Sequence, residues 1–490
     1  MLRQQAAAVS CTSFVPTTVR SEGEVTMKLV FVNVMQELQR FDSTAYITQP
    51  PVPLALLNAT TPGAIDTALV DEQTDPTRFE GDVFAFSVST QNSGAVYDHA
   101  ARLRAAGKKV ILGGIHVTVC PNEASRHADA IVTGEAEIIW PEVCEDLLEG
   151  TLKERYTGFP TPPERMSPVD YRFFGSRRYL TPASLFATRG CNRRCSFCVS
   201  SNHMGPYRTK PLAVLEQEID QLAELYPGTF LQFTDDNLLA DRAYGRELLT
   251  LLRRKRCRFI TMVTVDQFCD GELMEEMAAS GCLAVAVGVE SVDEDNCASV
   301  SKFQNLHQPF PDAVRHANRC GVQTAALLML GLPHDTPERL TRTLDYLKQI
   351  PCSLYDIRIM RIYPSTALYN EMLSTGDVTE NWWLTKESPT TCNHLLPSCL
   401  SMHFRHRNFS PMQLQHMALR FTTELNRLSA TNIAGLLRIG TRWNGLGLTG
   451  TVLYARRQAV KQAQMLLRQV EQAMVREGIP LPVPARLRTA

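Results

Sequence analysis

From Met27 to about residue 364, short apolar runs alternate with helical stretches, and this alternation confines the chain to α/β architectures. "KLVFVNV" (28–34), "DTALVD" (66–71), "DVFAFSVS" (82–89), "KKVILGG" (108–114) and "ADAIVTG" (128–134) read as five buried strands. Helical text such as "GAVYDHAARLRAAG" (94–107) lies between them. Strands that alternate with helices pair in parallel, and their ligands gather beyond the strands' C-terminal ends. The stretch "GFPTPPERMSPVDYRFF" (158–174), with prolines at 160, 162, 163 and 168, interrupts the pattern and marks a connector. The alternation resumes near Pro182. Strand candidates there are "SLFATRG" (184–190), "TFLQFTDD" (229–236), "FITMVTV" (259–265), "LAVAVGVES" (283–291), "TAALLMLG" (324–331) and "DIRIMRIYP" (356–364). The helix within 211–228 places Leu215, Ile219, Leu222 and Leu225 on one face.

The expected fold class is therefore α/β. A Rossmann-like (flavodoxin-like) parallel-sheet domain is followed by a partial (β/α)6 TIM-type barrel, whose chemistry sits at the strands' C-terminal ends. Beyond about residue 371 the strand signals fade into a mostly helical region. The expected boundaries are a flexible tail at 1–26, a first domain at 27–154, a linker at 155–181, the barrel at 182–370 and the helical region at 371–490.

Just after the first barrel strand, "RGCNRRCSFC" (189–198) sets Cys191, Cys195 and Cys198 in a C-x3-C-x2-C pattern. Thiolates are soft ligands suited to zinc and to iron–sulfur clusters. A structural zinc normally takes four ligands, and His203 could supply the fourth. Three thiolates on a four-iron cubane would instead leave one iron open. Spacing leaves both readings standing; position at a barrel mouth favours the cluster. The 14 cysteines are scattered and no export signal is evident, which suits a reduced, cytoplasmic setting. A net charge of −1 gives no sign of a nucleic-acid partner, and no apolar run is long enough to cross a membrane.

"CNRRCSFC", with Phe197 before the third cysteine, closely resembles the signature of radical S-adenosylmethionine (SAM) enzymes. The resemblance continues over some 180 residues. "TDDN" (Thr234–Asn237) resembles the segment that meets the amino group of SAM, which implies Asp235 or Asp236. "GVES" (Gly288–Ser291) resembles the segment near ribose and carboxylate, which implies Glu290 and Ser291. "GLPHDT" (Gly331–Thr336) resembles the turn lining the adenine, which implies Gly331 and Pro333, and "YPST" (363–366) resembles the sixth strand's ending. The family implies a [4Fe–4S] cluster, SAM, a small-molecule substrate and a one-electron reductant of flavodoxin or ferredoxin type. Arg189 and Arg194 could offset the cluster's charge. The resemblance identifies neither the substrate nor a catalytic side chain.

Over roughly residues 27 to 150 the chain resembles the cobalamin-binding domain fused to many such enzymes. "PPVPLALLNA" (50–59), "GGIHVTVCPNEA" (113–124) and "ADAIVTGEAE" (128–137) carry the likeness. It implies cobalamin as a further cofactor, bordered by Ser87, Ser89, Gly113, Gly114, His116, Gly134 and Glu135. The Asp-x-His-x-x-Gly motif that would mark a replacement for the lower base is missing.

Two features of the C-terminal region stand apart. Cys392, His394, Cys399, His403 and His406 could bind metal or a soft atom, against plain loop and core roles. Helix 455–476 is basic, with Val460, Ala463, Leu467, Val470 and Met474 on one stripe. It either packs on the barrel or touches a membrane or anionic partner. The leading functional reading is a cobalamin-dependent radical SAM methyltransferase acting on an unactivated carbon. The alternatives are a family member that cyclises, rearranges or transfers another SAM fragment, and a sensor that only binds.

Overall fold

The computed structural model describes residues 27–482 apart from 36–47, 76–77, 204, 386–390, 394–395, 397 and 428–445. The expected tail at 1–26, His394 and the basic residues at 438, 442, 486 and 488 lie outside them.

The first sheet runs β1 (Met27–Asn33), β2 (Ile65–Asp71), β3 (Val83–Ser87), β4 (Lys109–Gly113), β5 (Ala130–Thr133) and β6 (Arg155–Thr157), in spatial order 2-1-3-4-5-6. Every pairing is parallel. The apolar runs of β1 and β3 are buried on both faces because a core lies on each side. Val30, Val32, Phe84, Phe86, Val110 and Leu112 pack with Val96, Tyr97, Ala100 and Leu103 of helix Ser93–Ala105. Leu29, Phe31, Ile111 and Val132 face the other way, into a core shared with Tyr171 and Phe174 of the connector and with the barrel. In this order the sheet changes winding direction between β1 and β3, the crevice where such sheets bind ligands.

The second sheet is parallel in the order β14-β13-β12-β11-β10-β7, an open six-stranded partial barrel. Its strands are β7 (Ser184–Leu185), β10 (Leu231–Phe233), β11 (Phe259–Val263), β12 (Cys282–Glu290), β13 (Gln323–Leu330) and β14 (Leu354–Ile359). Between β7 and β10 lies a two-stranded antiparallel ribbon, β8 (Thr188–Arg189) with β9 (Arg208–Thr209). The sequence reads 184–190 as one strand, but the chain leaves the sheet after Leu185. The amides of Ala187 and Thr188 turn to the carboxylate of Asp235, and β8 then pairs with β9 instead. Along helix Leu212–Leu225, Leu215, Ile219 and Leu222 are buried as expected, while Leu225, its last residue, is exposed at the turn.

Helices Pro411–Asn426 and Leu446–Glu477 pack against each other beside β14. The long helix buries Ala463, Leu466, Val470, Ala473 and Met474. Arg456 is buried too, donating to the carbonyls of Asn426, Leu425 and Ser353. This is the packed arrangement, with Arg457, Lys461 and Arg468 exposed on its outer face. No described helix is long and apolar enough to cross a membrane.

Candidate functional site

The cluster loop hangs between β8 and β9. It opens at Gly190, whose φ of +74° and close approach to the carbonyls of Gly205 and Pro206 (2.9 Å from a Cβ there) leave no room for a side chain. Cys195 is buried, and Cys191 and Cys198 are half-buried. Burial pushes the thiols of Cys191 and Cys195 above their ordinary range, so a metal is what would draw their protons off. Donors point at the sulfurs. The Arg193 amide lies 3.4 Å and Asn237 Nδ2 3.7 Å from Cys191 Sγ, and Gln304 Nε2 is 3.6 Å from Cys195 Sγ. Such contacts tune thiolate-held clusters.

A single zinc ion gathers its ligand atoms within a few ångströms of one another. Among the described residues, the group of metal-type donors within 4.8 Å of one another is His116, Cys120 and Glu123, not the cysteine triad. His203, the expected fourth zinc ligand, hydrogen-bonds the Ser365 carbonyl at 3.0 Å. Three soft thiols not gathered on one point, with His203 engaged elsewhere, suit a cubane better than one tetrahedral ion.

The two acids just beyond β10 part company. Asp235 is buried; its Oδ1 accepts from the Ala187 amide (3.0 Å), the Thr188 amide and the Thr188 hydroxyl (2.6 Å). Burial pushes it up to about 7 against the pull of those donors. Asp236 points the other way, exposed to the cavity described below, and the protein walls around it raise its carboxyl as well. Asn237 then links outward, donating to Asn192 Oδ1 (3.1 Å) and accepting from Gln267 Nε2 (2.9 Å).

Glu290 ends β12 with φ of +56°, beside a register shift between Gly288 and Glu290. Its Oε1 meets Lys302 Nζ at 2.5 Å. Lys302 is buried and lies 5.9 Å over the Phe197 ring. Burial pulls its ammonium down, but Glu290 and the thiols of Cys195 and Cys198 together hold it above its ordinary value. Lys302 is thus a cation beside the cysteine loop, paired with Glu290. Arg194 is exposed, and Arg189 is paired with Glu135 and Glu137. Ser291 closes a turn, accepting the Asp293 amide at 3.0 Å. The Gly331–Pro333 turn is pinned by Asp335, whose Oδ2 accepts the amides of Gly331 (2.7 Å) and Leu332 (3.0 Å). Leu414 and Phe404 cover Gly331 from the C-terminal region.

A cavity of about 1050 Å³ opens between the two sheets. The barrel contributes Phe197, Cys198, Thr234, Asp236, Met329 and Arg358; the first domain contributes Ser87, Ser89, Gly113, Gly114, Gly134 and Glu135. Gly114 has φ of +104°, and a Cβ there would lie 2.8 Å from the Val88 amide nitrogen and carbonyl oxygen. Gly114 is therefore required first by its contact with the chain just after β3, whereas a Cβ on Gly113 would make only ordinary contacts with Val132. His116 is not on the cavity wall. It is fully buried, between the Thr90 hydroxyl (3.2 Å) and Glu123 (3.0 Å). Glu123 also accepts Tyr97 and Trp383, joining this loop to the C-terminal region.

In that region Cys392 is buried, His403 stacks on Trp382 at 4.4 Å, and His406 bonds the Leu332 carbonyl at 3.0 Å. They serve packing and turn roles. Sequence reasoning missed Lys302, Asn237 and Gln304, which meet the cysteine loop only through the folded barrel.

Residues 185–347 match the radical SAM superfamily. The bacteriochlorophyllide d C-8(2)-methyltransferase of Chlorobaculum tepidum is 27% identical over 349 residues, covering 67% of this chain and 77% of that protein. The hopanoid C-2 methylase of Rhodopseudomonas palustris is 24% identical over 358 residues, covering 67% and 65%. Among solved structures, the radical SAM methyltransferase TsrM from Kitasatospora setae, with cobalamin and a [4Fe–4S] cluster bound, superposes with a TM-score of 0.60. That likeness is 17% identical and covers 88% of this chain and 99% of TsrM; it is a likeness of fold.

Proposed function

With residues 185–347 belonging to the radical SAM superfamily, this chain is a radical SAM enzyme, and we propose that it methylates an unactivated carbon of a small molecule with the help of cobalamin. One observation carries the reading: the cysteine loop and the C-terminal ends of the first sheet face the same cavity of about 1050 Å³. That is at the upper end of ordinary ligand cavities, roughly 300–1,000 Å³. The first domain's share of the wall is small and uncharged at Ser87, Ser89, Gly113 and Gly114, which suits a large neutral corrinoid. The relatives from Chlorobaculum tepidum and Rhodopseudomonas palustris, both named for methyl transfer to numbered carbons, support it.

Bound there, the cluster and SAM would supply a 5′-deoxyadenosyl radical and cobalamin a carrier for methyl. Per turnover, two SAM and two electrons from a flavodoxin- or ferredoxin-type reductant would turn R–H into R–CH3. The by-products would be S-adenosylhomocysteine, methionine and 5′-deoxyadenosine. Cys191, Cys195 and Cys198 would hold three irons and leave the fourth open. Asp236, facing the cavity, would accept the amino group of SAM. Lys302, buried off the cavity wall and paired with Glu290, would oppose the cluster's negative charge from behind the cysteine loop. The Gly331–Pro333 turn, which the resemblance assigns to the adenine, spends its Gly331 and Leu332 amides on Asp335 and does not line this cavity.

Anaerobically purified protein given hydroxocobalamin is expected to retain it through gel filtration; protein that emerges corrinoid-free contradicts the reading. Asp236→Ala should weaken SAM binding at least about tenfold, the worth of one charge-assisted hydrogen bond, while the cluster's visible absorption survives. An equilibrium titration checks this, and unchanged affinity would place the amino group elsewhere.

A further inference from the structure

The carboxylate of Glu135 lines the cavity but is turned to the barrel. It accepts Arg208 through Nη2 (2.5 Å) and Nη1 (3.0 Å), Arg189 Nη1 (2.9 Å) and the Thr161 amide (2.7 Å). Arg189 continues to Glu137 at 2.6 Å. The side chains of Glu135, Arg189 and Arg208 are only 10%, 11% and 9% exposed. Ion pairs this buried are weak evidence for stability as such, since desolvation offsets their attraction. Their placement is informative instead. Arg189 precedes Gly190 and Cys191, and Arg208 follows the loop in β9, so one carboxylate of the first domain holds both ends of the cluster loop. The backbone is equally tight. A Cβ on Gly134 (φ +75°) would sit 2.3 Å from the Gly158 carbonyl, and one on Gly158 would sit 1.9 Å from that of Glu135.

We propose that Glu135 is a positioning residue: by gripping Arg189 and Arg208 it fixes the cluster loop against the turn after β5 and sets the gap across which methyl passes from SAM toward cobalamin. This rests on the cobalamin reading above. Cleavage of SAM to 5′-deoxyadenosine needs only groups held on the barrel, whereas methyl transfer needs both domains in register. A misplacement of about 1 Å costs on the order of a hundredfold in rate.

The test uses the full-length, cluster-loaded protein with hydroxocobalamin, SAM and reductant, comparing wild type with Glu135→Gln and, should that variant fold poorly, Arg208→Met. Both are expected to keep wild-type iron content, to retain cobalamin and to form 5′-deoxyadenosine near the wild-type rate. Formation of S-adenosylhomocysteine should fall at least about tenfold. Magnetic broadening between cob(II)alamin and the reduced cluster should change in the electron paramagnetic resonance spectrum. Arg208→Lys, which keeps the charge without the fork, should recover part of the transfer. Unchanged S-adenosylhomocysteine formation and unchanged broadening in a variant that retains cobalamin overturn the role of Glu135. So does an equal fall in both products, which would mark a general structural role. A wild-type protein that retains no cobalamin overturns the underlying reading instead.

Discussion

Replacing any one of Cys191, Cys195 or Cys198 with alanine is expected to abolish cluster loading and reductive SAM cleavage together. Each thiolate would hold one iron of a four-iron cubane, and Cys297, the next cysteine near Lys302, is engaged elsewhere, donating to the Ser291 carbonyl. His203→Ala should load iron like the wild type, because its imidazole is held by the Ser365 carbonyl. Iron and sulfide analysis with the visible spectrum decides. Loss of metal in His203→Ala, with zinc in the purified protein, would restore the four-ligand zinc site; iron retained in all three cysteine variants would remove the cluster from this loop.

Asp235→Ala is expected to unfold far more readily than Asp236→Ala. It strips the acceptor from the amides of Ala187 and Thr188 and from the Thr188 hydroxyl, all in a buried setting. Each buried donor left unpaired costs about 1–3 kcal/mol, so a loss of about 3 kcal/mol or more is expected. The chain would also lose what bends it out of the sheet into the cluster loop, and iron occupancy should fall with stability. Asp236→Ala faces open cavity and should melt like the wild type. Urea unfolding curves with iron analysis separate the two. An Asp235→Ala protein of wild-type stability that fails to bind SAM would exchange the roles of the two acids.

That pair shows how far local pattern reaches. Read as one strand to residue 236, the sequence has Asp235 and Asp236 facing opposite ways, one inward and one not, although β10 itself stops at Phe233. The pattern does not say which. The long buried strands were legible because cores on both faces demand unbroken apolar runs, as in β1 and β3. β6 was not: three residues at a sheet edge with only Tyr156 buried carry no period. "SLFATRG" reads as one strand because nothing local announces an acceptor at Asp235, 47 and 48 residues on. The Glu135 segment is visible as a motif, yet its arginine partners stand 54 and 73 residues later, and only the fold shows its carboxylate linking the first domain to the barrel. Lys302 was passed over for the arginines of the cysteine loop itself, since only the folded barrel brings it beside Cys195 and Cys198.

The central claim, that SAM on the barrel and cobalamin on the first domain work across one cavity, is tested most directly by product analysis. Cluster-loaded protein is incubated anaerobically with SAM and reductant, with and without hydroxocobalamin, and both SAM products are quantified by mass spectrometry. The account predicts 5′-deoxyadenosine in both reactions and S-adenosylhomocysteine only where cobalamin is present. S-adenosylhomocysteine that stays at the cobalamin-free level while 5′-deoxyadenosine accumulates would contradict it.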